Sequence, residues 1–157
     1  MSLPTSMHLW NARRDPRRKT ASMGMYTHVS NQWPIIYHQP IVLGNRQAGA
    51  AIEGVVRQES IDLDWLAVDT HGYTDAAMCF ARMQTVDLCP RLANLRERRL
   101  TVPKGMEIPV ALAPVVDATL QLDCINENWD ELLRISASIS NGTVSAVQIL
   151  DRFGSAA

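Results

Sequence analysis

The chain has 157 residues, of which 46% are hydrophobic and 20% charged, and its formal net charge is -1. A chain of this length and hydrophobic content can bury the core of one domain, which excludes wholesale disorder. No apolar stretch approaches the roughly 20 residues that span a bilayer. The N-terminus lacks the apolar segment of a secretory signal, so we expect a cytoplasmic protein. The near-zero charge excludes a protein that is basic over its whole surface.

The cysteines and histidines show no disulfide or metal-binding pattern. The three cysteines are widely spaced and lie among apolar neighbours, at Cys79, Cys89 and Cys124. We therefore expect buried free thiols, with neither a disulfide framework nor a zinc site. The four histidines likewise lack the spacing of metal ligands.

Charges are distributed unevenly along the chain. Five cations fall within seven positions near the N-terminus: Arg13, Arg14, Arg17, Arg18 and Lys19. A second basic cluster comprises Arg96, Arg98 and Arg99, whereas acidic residues collect between positions 117 and 130. Such basic clusters can neutralise DNA phosphates. The alternative is a solvated arm and a solvated helix end.

The N-terminal part of the chain predicts an arm followed by two strands. Residues 1–22 are polar, basic and without periodicity, and we interpret them as an arm or a remnant. Residues 23–30 and 35–43 contain β-branched and aromatic side chains and predict two strands, joined by a turn at Asn-Gln-Trp-Pro. Pro40 places the second strand at a sheet edge or at a bulge. The short connection indicates an antiparallel pair.

Helices and strands then alternate. Small and apolar residues recur at helical spacing over 46–58, although Gly49 and Gly54 weaken a helix by about 1 kcal/mol each unless close packing requires them. Residues 61–68 predict a strand that enters a sheet covered on both faces. Thr74 or Asp75 can cap a following helix that runs to residue 84. A short strand is predicted next, within 85–92.

The C-terminal third predicts an insert and two helices. Residues 93–125 contain several prolines and glycines and predict an irregular excursion with short strands. Helices follow at 129–140 and 144–153, and Thr143 is the expected cap of the second. The first should pack through Trp129, Leu132, Leu133, Ile135 and Ile139. The order of elements predicts an α/β fold, in which a mixed sheet carries helices on its faces.

Asp69 is the candidate site residue, because it directly follows the apolar run 65–68 at the expected carboxyl end of a strand. Open α/β sheets bind ligands beyond this end, and Mg²⁺ is held by carboxylates together with substrate phosphates. Gly72 allows a sharp turn after Asp69, and the N-terminus of the following helix favours anions. The alternative is that Asp69 is an ordinary turn residue.

Four segments resemble the catalytic region of the Tn3 family of replicative bacterial transposases. They read YTHVSNQW (26–33), VDTHGYTD (68–75), CPRLANLRERRL (89–100) and NWDELLRISASISNGTVSA (128–146). The family counterpart of the second segment is T-D-T-A-G-[YF]-[ST]-D, from which Val68 and His71 depart. The matches follow the family's order from about residue 11 to the end, so they rest on more than one motif.

The resemblance implies an RNase H-like core in which three acidic residues hold two Mg²⁺ ions for DNA cleavage and strand transfer. Asp69 matches the second of these carboxylates, and Asp75 matches a family aspartate that we interpret mainly as a helix cap. The family's first catalytic aspartate lies upstream of the Asn-Ala-Arg segment at 11–13, which only ten residues precede here, none of them acidic. The family's final catalytic glutamate lies beyond the Gly-Thr-Val-Ser segment. Within the segment 26–33, Asn31 stands where the family usually has an aspartate.

We therefore expect residues 23–157 to be a partial RNase H-like transposase domain that carries one of three Mg²⁺ ligands and is inactive alone. Its partners would be DNA, as transposon ends and target, and the flanking parts of the transposase. The sequence leaves the oligomeric state open. Two alternatives are a non-catalytic DNA-binding or inhibitory module that uses its basic arm, and a decayed transposase remnant.

Overall fold

The computed structural model describes residues 2–32, 34–58 and 61–154, so Trp33 of the predicted turn lies outside the described residues. Eight strands and five helices follow in chain order within these ranges: β1 (Ser2–Pro4), β2 (Arg13–Arg14), β3 (Ala21–His28), β4 (Tyr37–Ile41), α1 (Ala48–Arg57), β5 (Trp65–Val68), α2 (Asp75–Met83), β6 (Asp87–Pro90), β7 (Leu100–Pro103), β8 (Val116–Leu120), α3 (Leu122–Glu127), α4 (Trp129–Ser140) and α5 (Ala146–Gly154). Among the residues that the structure describes, none of the helices could span a bilayer.

The strands of the described ranges form three small sheets, whereas the sequence predicted a single mixed sheet. β3 pairs antiparallel with β1, β2 and β4, and the two other sheets are the parallel pairs β5–β6 and β7–β8. β5 lies within the residues 61–68 that predicted a strand of the mixed sheet, but it hydrogen-bonds only to β6 within the described residues. The fold is therefore mixed α/β, with its parallel and antiparallel strands in separate sheets.

β3 organises the N-terminal part of the molecule. β4 pairs with it from His28 to Gly24, and Pro40 lies in β4, a strand with no other partner among the described residues. Residues before β3, which have no strand periodicity, also join this sheet: β1 pairs with 22–24, and β2 pairs with 21–22. β2 and β3 thus form a hairpin whose connection is residues 15–20, and the basic segment of the chain forms β2 and most of this connection.

The hydrophobic core lies between β5, β6 and the helices, chiefly α1, α2 and α5. Its buried members are Ala48, Ala51, Ile52, Val68, Ala77, Phe80, Ala81, Leu88, Ile139, Ala146 and Leu150. From the predicted packing face of α4, Ile139 is buried, and Leu132 and Ile135 pack partly against the core. Trp129 and Leu133 remain 46% and 45% exposed, so that part of the predicted face is wrong. Trp129 and Leu133 therefore lie on a side of α4 that does not face the core.

Two glycines allow α1 to pack closely against its neighbours. A Cβ at Gly49 would lie 2.6 Å from the Cα of Val147 in α5, and a Cβ at Gly54 would collide with Cε1 of His28 in β3. Cβ atoms essentially never approach other heavy atoms below 3.0 Å. The close packing that would justify two glycines in one helix is therefore present at both positions.

The N-terminus of α5 is bound by a buried carboxylate. Glu53 of α1 is 6% exposed, and its Oε2 accepts hydrogen bonds from the N–H of Ala146 at 2.6 Å and the hydroxyl of Ser145 at 3.0 Å. The prediction that Thr143 caps this helix is wrong, because α5 begins three residues later and the N–H of Thr143 instead donates to Oδ1 of Asn141. A carboxylate at this place also complements the positive end of the helix dipole.

The three cysteines are exposed, which corrects the prediction of buried thiols. Cys89 alternates with the buried Leu88 along β6, so the two side chains face opposite sides of the strand. Cys79 lies on α2 directly before the buried Phe80, and Cys124 belongs to α3, where every residue is exposed or half-buried. Apolar neighbours in sequence therefore did not imply burial for the thiols themselves.

Residues 91–127 form an excursion from the core. None of these residues, all of which the structure describes, is buried. The excursion contains β7, β8 and α3, so the short strands predicted for this irregular region are present. Prolines and glycines interrupt this segment, which explains why its strands are short. The segment leaves from the carboxyl end of β6 and returns to the core through α4.

Candidate functional site

Asp69 lies immediately after β5, at the carboxyl end of a strand that is parallel to β6. Its Oδ1 accepts hydrogen bonds from the backbone N–H groups of His71 at 3.0 Å and Gly72 at 3.2 Å. These bonds begin a 3-10 turn over Thr70–Gly72. Within the described residues, the hydrogen bonds to the Asp69 side chain all fall on Oδ1, and the residue is exposed. Asp69 is thus an exposed turn residue with one of its carboxylate oxygens fixed by the backbone.

Gly72 and Thr74 fix the path of the chain after Asp69. A Cβ at Gly72 would lie 2.8 Å from the Cβ of Val68, so glycine is required by close packing here. Of the two residues considered as the cap of α2, Thr74 is the one whose Oγ1 accepts from the N–H of Ala77, at 3.0 Å. Asp75 is instead the first residue of α2, and its Oδ1 accepts from the hydroxyl of Tyr73 at 2.7 Å.

Tyr26 of β3 lies within the electrostatic influence of Asp69, a relationship that the sequence did not predict. Burial raises the pKa of Tyr26 to about 12, and the negative charge of Asp69 adds to the increase. The antiparallel sheet therefore approaches the carboxyl end of β5, although the two are not hydrogen-bonded in the described ranges. Tyr26 and Asp69 belong to two of the motif segments, 26–33 and 68–75. Tyr26 shares one face of β3 with the buried Gly24 and His28, and only this alternation could have suggested its inward direction.

The described residues do not form a metal site by themselves. No group of three or more His, Cys, Asp and Glu side chains among them is placed to hold a metal ion. A pair of Mg²⁺ ions needs several oxygen ligands in near-octahedral geometry. The carboxylate of Asp69 is exposed, and Oδ1 of Asp75 accepts from the hydroxyl of Tyr73. Asp69 can therefore serve as one ligand, with the remainder supplied from elsewhere.

The basic residues near the N-terminus lie at the opposite end of β3 from Tyr26. Arg13, Arg14, Arg17, Arg18 and Lys19 are all exposed along the β2–β3 hairpin. Asp15, which interrupts them, is buried and its Oδ1 accepts from the N–H groups of Arg17 and Arg18. Ala21 and Tyr26 are five residues apart, about 17 Å along an extended strand. The structure thus places the hairpin cations together but does not bring them to Asp69.

Comparisons with known proteins identify the family. The family model described as the Tn3 transposase DDE domain matches residues 1–157, the whole chain. The transposase of insertion sequence element IS1071 in transposon Tn5271 of Comamonas testosteroni is 52% identical over the whole chain, which covers 16% of that relative. The transposase of transposon Tn501 of Pseudomonas aeruginosa is 30% identical over 83% of the chain, or 13% of the relative.

A third relative, the transposase of transposon Tn3926 of Escherichia coli, is 32% identical over 83% of the chain and is covered to 13% of its length. The chain therefore spans only about a sixth or less of the curated relatives that it matches. No solved structure matches it. The family resemblance drawn from the four segments is confirmed, and the chain belongs to the Tn3 transposase DDE-domain family.

Proposed function

We propose that this chain is part of the catalytic region of a transposase, and that Asp69 holds Mg²⁺ during DNA cleavage and strand transfer in the complete enzyme. One observation carries the proposal: the exposed Asp69 directly follows a parallel strand, and two backbone N–H groups fix one of its oxygens. A carboxylate held in this way is oriented before a metal ion arrives, which is what a catalytic site requires. Membership of the Tn3 family supports the reaction class.

The proposal includes an RNase H-like fold for residues 23–157 and a cytoplasmic location, where a bacterial transposase meets its DNA. The antiparallel pair β3–β4, the helix α1 and the parallel unit β5–α2–β6 follow in an order that suits this fold. The partners would be the transposon ends, the target DNA and the remaining parts of the transposase. The small share of each relative that the chain covers supports the need for those parts.

The same proposal predicts that the chain is inactive alone. One carboxylate at the end of β5 cannot position two Mg²⁺ ions, because each ion requires several oxygen ligands. Incubation with transposon-end DNA and Mg²⁺ or Mn²⁺ should therefore leave the DNA intact. Cleavage that Asp69→Ala abolished would contradict the argument from a single ligand, and cleavage that survives Asp69→Ala would identify a contaminating nuclease.

A chimera tests the role of Asp69 directly. The corresponding region of the IS1071 transposase is replaced by this chain, which is 52% identical to it, and transposition is measured in cells. Asp69→Asn should abolish transposition while leaving the turn intact, because the amide oxygen still accepts from His71 and Gly72. Asp64→Asn, at an exposed position before β5, removes the same charge and serves as the matched control. Equal activity of both variants would reject Asp69 as a metal ligand.

A non-catalytic contact with DNA is the second function we propose, because the β2–β3 hairpin presents five exposed cations. Such binding should be independent of DNA sequence and steeply salt-dependent, since its affinity would come from the release of counterions. Residues before β3 pair with it, so substitution is a cleaner test than truncation. The variant Arg14→Gln/Arg17→Gln/Arg18→Gln should bind labelled duplex more weakly, with a shallower salt dependence. Unchanged affinity would reject the hairpin as a DNA contact.

A further inference from the structure

The loop between β6 and β7, residues 91–99, begins beside Asp69. Val68 and Pro90 are paired in the parallel register of β5 and β6. The N–H of Arg91 donates to the carbonyl oxygen of Val68 at 2.8 Å, and the hydroxyl of Thr70 donates to the carbonyl oxygen of Arg91 at 3.0 Å. The first residue of this loop, which we call the basic loop, is therefore bound to the residues on both sides of Asp69.

The far part of the basic loop returns to the same motif. The guanidinium carbon of Arg98 lies 5.1 Å from the ring centroid of Tyr73, a distance typical of a cation–π contact. The hydroxyl of Tyr73 in turn donates to Oδ1 of Asp75 at 2.7 Å. Arg98 is thus held over a tyrosine that follows Asp69 by four residues. Both ends of the basic loop border the turn that contains Asp69.

The basic loop carries a net positive charge. It contains four arginines and one glutamate, which gives a net charge of +3. Every residue from 91 to 99 is exposed. Three ion pairs lie outside this loop: Arg57–Glu53, Arg82–Asp87 and Arg134–Glu131.

Hydrogen bonds within the loop leave most guanidinium donors for a ligand. Arg98 donates through Nε to the carbonyl oxygen of Ala93, and Arg99 donates through one nitrogen to the carbonyl oxygens of Arg96 and Arg98. A guanidinium carries five N–H donors, so each arginine retains donors that face solvent. These retained donors have the planar arrangement that binds a phosphate with two parallel hydrogen bonds.

We propose that the basic loop binds backbone phosphates of the DNA strand that lies at Asp69, with Arg98 as its central contact and Tyr73 as the residue that positions Arg98. The inference rests on the proposed function, in which Asp69 acts on a DNA phosphodiester. The loop supplies cations at the same sheet edge as the carboxylate. The repulsion between Asp69 and the DNA backbone is thereby offset beside the reacting phosphate.

Binding of labelled duplex to the whole chain, followed by fluorescence anisotropy over a range of salt concentrations, tests the loop. Arg96→Gln/Arg98→Gln/Arg99→Gln should reduce affinity at low salt by about tenfold or more. The slope of log K against log salt should become shallower by about 0.9 for each phosphate that the variant no longer binds. Arg82→Gln/Arg134→Gln/Arg152→Gln removes the same charge elsewhere and is the matched control. Equal reductions in affinity for the two triple variants would overturn the proposal.

Two further variants distinguish phosphate binding from misfolding of the basic loop and test whether Tyr73 positions Arg98. Replacing the same three arginines by lysine keeps the charge and should restore most of the salt slope, which a merely misfolded loop would not do. Tyr73→Leu should weaken binding in the wild-type chain but have no further effect when Arg98 is already glutamine. An additive effect would reject Tyr73 as the positioning residue.

The failure of this inference can be distinguished from that of the proposed function. Asp69→Asn should leave the binding of uncut duplex to this chain equal or tighter, because it removes a negative charge beside the phosphates, and should abolish transposition only in the chimera. If Asp69→Asn leaves the chimera active, the proposed function fails whatever the loop variants do. If the loop triple variant binds duplex as its control does, the loop inference alone fails.

Discussion

The carboxylate of Glu53 in α1 accepts the backbone N–H of Ala146, the first residue of α5, at 2.6 Å. The two residues are 93 positions apart, and Glu53 is buried while its ion-pair partner Arg57 is half exposed. The hydroxyl of Ser145 donates to the same oxygen. This carboxylate joins the two helices that enclose much of the core.

Glu53→Ala should lower the free energy of unfolding by about 2–4 kcal/mol, because it leaves a buried N–H and a hydroxyl without their acceptor. Glu53→Gln should cost less, since the amide oxygen can still accept from Ala146. Urea denaturation followed by circular dichroism measures both. Glu131→Ala, which breaks an exposed ion pair with Arg134, is the control and should change stability by less than about 1 kcal/mol. A loss of stability no larger than that of the control would contradict the role of Glu53.

His28 should make the fold sensitive to acid. Nε2 of its buried imidazole lies 2.9 Å from the carbonyl oxygen of Ala51, whereas Nδ1 has no hydrogen-bond partner among the described residues. Burial lowers the pKa of His28 below its ordinary value of 6.5, and the bond to Ala51 opposes this only in part. The unfolded chain therefore binds the proton more readily than the folded one.

The stability from neutral His28 should be complete above pH 6.5 and decrease as the pH falls from 6.5 through the folded pKa. The midpoint of the His28 imidazole resonance, followed by NMR in the folded protein, should lie below 6.5. His28→Gln assigns that resonance by its disappearance. A midpoint above 6.5 would contradict the prediction that burial lowers the pKa of His28. In that case the urea midpoint should rise as the pH falls.

Alanine at Gly54 or Gly49 should destabilise the protein, although the same change in an open helix stabilises it by about 1 kcal/mol. The new Cβ would collide with the imidazole of His28 in one case and with the backbone of Val147 in the other. Overpacking of this kind costs about 1–3 kcal/mol.

The two glycines contact different neighbours, His28 at Gly54 and Val147 at Gly49, so one can serve as the control for the other. His28→Ala should relieve most of the cost of Gly54→Ala, because it removes the atoms that collide, but should leave the cost of Gly49→Ala unchanged. Thermal unfolding of the single and double variants in a double-mutant cycle measures the coupling. A gain in stability from Gly54→Ala alone would show that α1 does not approach β3 as described.

Thr74→Ala should lower the free energy of unfolding by about 1 kcal/mol, because the N–H of Ala77 loses the hydroxyl that caps α2. Thr74→Ser keeps that oxygen and should retain nearly the full stability. Asp75→Asn is the second control, since Asp75 bonds to the hydroxyl of Tyr73 and not to the helix backbone. Urea midpoints that ranked serine with alanine would indicate that packing of the threonine methyl, and not capping, stabilises the helix start.

Sequence patterns were sufficient where local periodicity or close neighbours decided the structure. The apolar run before Asp69 predicted a strand, which is present as β5 and is parallel to β6. The helix predicted over 46–58 is present as α1 at Ala48–Arg57, and the helix at 129–140 is α4. The turn chemistry after Asp69 was also visible, since aspartate followed by glycine at this spacing commonly closes a turn.

Contacts between residues that are far apart in the chain could not be predicted from sequence patterns. The residues around Glu53 do not indicate that it binds the start of a helix 93 residues later. Sequence patterns show only local caps, and they therefore predicted Thr143 as the cap of α5. The charge of Asp69 acts on Tyr26 although the two residues are 43 positions apart, a relationship that depends on the tertiary fold. The arginines after position 95 were visible as a cluster, but the contact between Arg98 and Tyr73 that places them beside Asp69 depends on the return path of the basic loop.

The absence of any buried residue between 91 and 127 has a consequence for how the protein unfolds. Unfolding this excursion would expose little new apolar surface, so it should open as a separate unit at a lower free energy than the core. The amide protons of β7 and β8 should then exchange with solvent far sooner than those of β6, and a limited protease should cut the excursion first. Calorimetric and urea midpoints would report on the helices and the β5–β6 pair while the basic loop has already been released.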